Sequence, residues 1–173
     1  AIPSARISLL GDLTKLQVGE VAQTMNELCG KEVIPLNLIP EVKDNQVFFG
    51  FKPSAELTHQ QIDPMKWGYH DYLIPYLMQG SIEELLKQYI NGSFFETTMG
   101  RFALAYGLDD PQAFVSDLQW VYKTMFKAVY KRLQMPPIVS VSMCSYGTDY
   151  RESQLPPFLT PQTKMYLEKI KTM

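Results

Sequence analysis

Histidine and cysteine are nearly missing from this chain. Two of each occur in 173 residues. His59, His70, Cys29 and Cys144 fall in four separate local contexts, which leaves most metal centres and most imidazole or thiolate nucleophile arrangements short of parts. Charge is also scarce: 20% of residues are charged, against roughly 25% in ordinary soluble domains. A net charge of −2 and a pI near 5.7 give no general attraction for phosphate backbones or anionic lipid. No apolar run approaches the roughly 20 residues that span a bilayer, and residues 1–10 lack a hydrophobic signal core. Two unclustered cysteines fit a reducing compartment, so a soluble, cytoplasmic protein is expected. The composition implies no cofactor, no metal and no membrane, and it disfavours nucleic acid.

What is plentiful is aromatic and thioether area. Ten Tyr, nine Phe and nine Met accompany the low charge. Interfaces favour those side chains and disfavour Lys and Glu, because rigid rings and adaptable thioethers bury area at modest entropic cost. The length fits a single globular domain over residues 1–173 with a core that needs no disulfide.

The strongest local pattern lies at residues 109–132. Asp109 or Asp110 can cap a helix, Pro111 suits its first position, and Lys127, Lys131 and Arg132 sit where the macrodipole favours cations. Phe114, Leu118, Val121, Met125 and Val129 recur at steps of three and four, with Tyr122 and Phe126 widening the stripe. Upstream, Ser81 and Glu84 form a capping-box pattern before Ile82, Leu85, Leu86, Tyr89 and Ile90, and Asn91-Gly92 supplies the exit. Asn91-Gly92-Ser93 also matches a glycosylation acceptor and reads better as this turn. Ser93 then caps a further helix through Phe95, Met99, Phe102 and Leu104 to Gly107. These segments predict a helical layer over residues 81–132.

The remaining pattern is mixed. Residues 6–10 read as a short strand, and Thr14 with Gln17 opens a helix carrying Val18, Val21, Ala22, Met25 and Leu28 until Gly30. Residues 33–39 and 46–51 read as strands punctuated by Lys43-Asp44-Asn45, with Pro35 confining the first to an edge. Val139, Val141 and Met143 alternate with Ser140, Ser142 and Cys144 as in a half-buried strand. A last helix begins at Thr160-Pro161 and carries Met165, Leu167 and Ile170. The fold expected is α+β, with three to five helices packed on a small, mainly antiparallel sheet.

Candidate sites follow from residue chemistry. Residues 64–78 hold Trp67, Tyr69, Tyr72, Tyr76 and Met78 where Pro64, Gly68 and Pro75 break regular structure, a setting for a partner-binding loop surface. His70 and Asp71 sit in the same stretch and could support acid–base work. Cys144 precedes a turn, as strand-end nucleophiles do, but its C-x6-R spacing to Arg151 misses the phosphatase loop by one residue, and a small buried hydrophobe is the simpler role. His59 and Asp63 are too few for a metal site. Lys123, Lys127 and Lys131 form a one-face stripe that fits either phosphate contacts or a solvated face. Thr97-Thr98-Met99-Gly100-Arg101 is similar to the TTxGR element of the largest subunit of multisubunit RNA polymerases. That subunit's aspartate-rich magnesium loop is not in this chain, so the resemblance implies no catalytic role. The function expected is a non-enzymatic interaction or structural subunit of a larger assembly, such as a virion, phage particle, secretion machine or organellar complex, with a protein partner or a second copy as its contact. A small hydrolase or ligand-binding domain using Cys144 or His70, and a nucleic-acid accessory protein using the lysine stripe, are the alternatives.

Overall fold

A computed structural model describes residues 7–50, 64–128, 136–142 and 158–173. Among the described residues, six α-helices accompany one two-stranded antiparallel sheet, an α+β fold. The helices are α1 (Lys15–Cys29), α2 (Tyr69–Gln79), α3 (Ile82–Asn91), α4 (Thr98–Leu104), α5 (Pro111–Lys127) and α6 (Pro161–Lys171).

α5 runs through the centre. Asp110, not Asp109, caps it by accepting the amides of Gln112 and Ala113, and Pro111 takes the first turn. Phe114, Leu118, Val121 and Met125 are all buried, whereas Phe126 is half-exposed. The expected continuation to Arg132 lies outside the described residues. α3 buries Leu85, Leu86 and Tyr89 in the same core, and the Tyr89 ring stacks on Phe114 of α5 at 3.9 Å. The Tyr89 hydroxyl donates to the carbonyls of Leu108 and Asp109, tying α3 to the entry of α5. Thr160 caps α6, which lays Leu167 and Ile170 on α3 and α5. Met165 faces solvent instead of joining them.

The single helix expected from Ser93 to Gly107 is divided. A 3-10 turn, Ser93–Glu96, precedes α4, and Thr97 rather than Ser93 caps α4 by accepting the Gly100 amide at 2.9 Å. A Cβ on Gly100 would lie 2.0 Å from the Phe94 carbonyl oxygen, so the close approach of turn and helix requires glycine there. Arg101 returns to the Glu96 carbonyl. The threonines, glycine and arginine of the TTxGR-like run thus build a helix start.

The first third departs furthest from expectation. α1 starts on the anticipated capping box of Thr14 and Gln17 and ends at left-handed Gly30, but it buries only Gly19 and Ala22. Val21, Met25 and Leu28 are exposed. Residues 33–39 form no strand, because Pro35 starts a 3-10 turn at Leu36–Leu38. The hairpin is instead β1 (Glu41–Lys43) with β2 (Gln46–Phe48), joined by Asp44 and Asn45, both at positive φ as a type I′ turn demands. Residues 6–10 and 139–143 also fail as strands where they are described. Ser8 and Ile138 make one isolated parallel bridge, and Val139 and Val141 are exposed. For Val141 and Ser142 the buried Asp12 carboxylate gives the reason: it takes their amides at 2.7 Å each, so these groups are spent on a side chain and not on a ladder.

Candidate functional site

The stretch expected to be an irregular loop is mostly helix. Pro64 and Gly68 confine residues 64–68, but α2 then runs from Tyr69 through Pro75 to Gln79. Gly68, at φ 86°, turns the chain where a Cβ would collide with the Phe102 ring. α2 therefore starts hard against α4.

At that start lies a buried polar cluster. The Lys66 amide donates to Nδ1 of His70 at 3.0 Å, so Nδ1 carries the lone pair and the ring proton resides on Nε2. Nε2 donates to Oδ2 of Asp117 at 3.0 Å. The other Asp117 oxygen takes the Lys66 ammonium. The His70 ring is wholly buried and stacks on Trp120 at 5.8 Å. Burial alone would raise the Asp117 carboxyl, but hydrogen bonds from His70 and Lys66, together with the charge of the Lys66 ammonium, outweigh it and hold the group below its ordinary value. Tyr69 lies beside this cluster with its hydroxyl buried and unpaired. Burial pushes that phenol well up, and the Asp117 charge adds to the effect.

Asp71 does a related job for α1. One oxygen accepts the Gly68 amide at 2.8 Å and the other the Leu16 amide at 3.1 Å, locking the first turns of α1 and α2 together. It acts from the third position of α2 and not as the N-cap. A cavity of about 280 Å³ beside it is walled by Met65, Trp67 and Ile74, with Lys15 and Asp71 contributing polar edges.

Chemically this cluster is saturated. A general base needs a lone pair that can reach a substrate proton, and both His70 nitrogens are committed inside the fold. Among the described residues no group of three or more His, Cys, Asp or Glu is placed to hold a metal ion. No helix among them is long and apolar enough to cross a membrane.

The five residues expected on a partner surface do not share one environment. Tyr69 is fully buried and belongs to the core, because the helix start turns it inward. Trp67 is half-buried, its carbonyl accepting the Tyr106 hydroxyl. Tyr76 and Met78 are half-buried and pack on the core edge. Tyr72 is 44% exposed and stacks on Phe102 at 5.9 Å. Those two rings line a groove of about 1190 Å³ between α1, the hairpin and α4, with Leu36, Val42 and Phe48 on its walls. Trp67 reaches this side through an edge contact with Phe49. Cys144, His59, Asp63 and Lys131 lie outside the described residues, while Lys123 and Lys127 are exposed.

Lys66, Asp117 and Asp12 were not anticipated. Asp117 had a visible signal, since it adjoins the Phe114, Leu118 and Val121 stripe, where an acid has to find a buried partner. Lys66 and Asp12 had none. The chain matches no protein-family model, no curated protein and no solved structure.

Proposed function

We propose that this chain is a non-enzymatic interaction subunit of a larger protein assembly, soluble and cytoplasmic or enclosed within that assembly. The observation that carries the reading is the groove floored by Tyr72 and Phe102, whose walls leave Leu36, Val42 and Phe48 at least half-exposed. Exposed rings over a rigid helical base favour association, because they bury large area with few torsions to freeze. Chemistry loses its best imidazole, since His70 is consumed by Lys66 and Asp117. The test is capture of partners from cell extract by the tagged chain, compared with Phe48→Ala and Tyr72→Ala. The reading expects a partner held by the original chain and lost with both variants while their melting temperatures hold. Retention of every partner by both variants would overturn it.

A further inference from the structure

The register of the hairpin determines which backbone groups face outward. Lys43 and Gln46 flank the two-residue turn and are directly paired, so they exchange hydrogen bonds, as do Glu41 and Phe48 two positions on. Val42 and Val47 form the intervening pair without ladder bonds. The N–H and C=O of Val42 therefore point away from β2, along an edge that carries no further strand among the described residues. The Val42 side chain is 50% exposed. The Val47 side chain, by contrast, packs against the core.

The charges on β1 select the occupant of that edge. Its sequence is Glu41-Val42-Lys43, and all three residues are exposed. Lysine on an edge strand ordinarily blocks pairing. When the incoming strand is an antiparallel copy centred on Val42, each Glu41 faces the other copy's Lys43. These opposite charges fall at the more closely spaced positions, while the two Val42 residues exchange both hydrogen bonds across the twofold axis. A parallel copy in the same register would instead put like charge opposite like charge. Within one chain the Lys43 ammonium lies 2.8 Å from Glu41, so both charged side chains share one exposed face of the hairpin.

We propose that β1 is a self-pairing edge, through which two copies of this chain join their hairpins into one four-stranded antiparallel sheet by an isologous contact. The proposal rests on the reading of the chain as an assembly subunit and names one of its contacts. Pro40, which has no N–H, and the turn at Asp44 limit the seam to three residues. The contact is weak and reversible, suited to a protein concentrated within an assembly.

Sedimentation equilibrium of the full chain up to about 1 mM, the weakest range worth resolving, provides the test. The expected result is concentration-dependent dimer that Glu41→Lys or Lys43→Glu weakens at least tenfold, since each puts like charges opposite one another. An equimolar mixture of the two single variants, and the doubly reversed Glu41→Lys/Lys43→Glu chain, should each recover dimer. A wild type that stays monomeric throughout, single variants that dimerise as well as wild type, or a mixture that fails to recover would each overturn the proposal. Partner capture that still depends on Tyr72 in a monomeric wild type would sink the β1 contact alone and leave the assembly reading standing.

Discussion

The Lys66 amide and the His70 Nδ1 atom meet at 3.0 Å, and this contact fixes the imidazole tautomer. With Nδ1 accepting, Nε2 must donate, and Asp117 on α5 receives that proton's hydrogen bond. Lys66 then closes the circuit through its ammonium. Three residues from two segments, 47 or more positions apart along the chain, thereby lock the start of α2 to the centre of α5.

Asp117→Ala should cost on the order of 3 kcal/mol, the lower end for breaking a buried pair, because Lys66 keeps some access to water. Urea unfolding of the variant checks the magnitude. Nitrogen-15 spectra of His70 in the wild type should show the Nε2–H tautomer. A ring protonated on Nδ1 instead would contradict the arrangement.

The pH dependence follows from the same carboxylate. Asp117 is held below its ordinary value in the folded chain, so the folded state binds fewer protons there than the unfolded one. Its stabilisation is complete above about pH 5, declines as pH falls through the unfolded value near 3.9, and is gone below the folded value. Asp117→Asn should flatten that acid limb, measured as unfolding free energy between about pH 5 and 2. An unchanged acid limb would show that Asp117 is not shifted.

Much of the helical layer was legible because capping chemistry and apolar spacing agreed. Asp110 with Pro111, Ser81 before Ile82, and Gly92 after Asn91 all mark ends that the structure keeps. The strands were legible only in part: β2 and the turn at Asp44-Asn45 fall where 46–51 and Lys43-Asp44-Asn45 were read. The other short segments carry too little period to outweigh a Pro35 turn or an Asp12 carboxylate that captures backbone amides from 129 residues away. Residues 64–78 misled for a related reason. Pro75 lies in the middle of α2, where tertiary packing of Tyr69 and Leu73 sustains a helix that local preference disfavours. The candidate site was legible in composition but not in direction: Tyr69 and Tyr72 are three residues apart, yet one is sealed inside and the other lines the groove.

Along α5, burial separates two neighbours that the sequence treats alike. Met125→Ala should cost about 2 to 4 kcal/mol, as truncation of a buried methionine does, and Phe126→Ala less, because its ring keeps solvent access. Thermal unfolding of both variants decides it. Equal losses would mean that Phe126 is covered in solution.

Asp12 should act as a clasp on residues 140–142. Its carboxylate is buried, and burial would raise it, but the amides of Ser142 and Val141 hold it below its usual value. Asp12→Ala should speed hydrogen exchange at the Val141 and Ser142 amides by at least about tenfold, equivalent to about 1.4 kcal/mol and within the worth of a hydrogen bond to a charged acceptor. Unaltered exchange at both amides would remove the clasp.

The division of the aromatic stretch into core and surface is the central claim, and melting temperature with partner affinity, measured on Tyr69→Ala and Tyr72→Ala side by side, tests it most directly. Tyr69→Ala should lose about 3 to 5 kcal/mol of stability, as a fully buried ring does. Tyr72→Ala should keep its melting temperature within a few degrees and lose about 2 kcal/mol or more of partner affinity, as a central interface aromatic does. A Tyr72→Ala chain that unfolds early yet binds normally when folded would contradict the account.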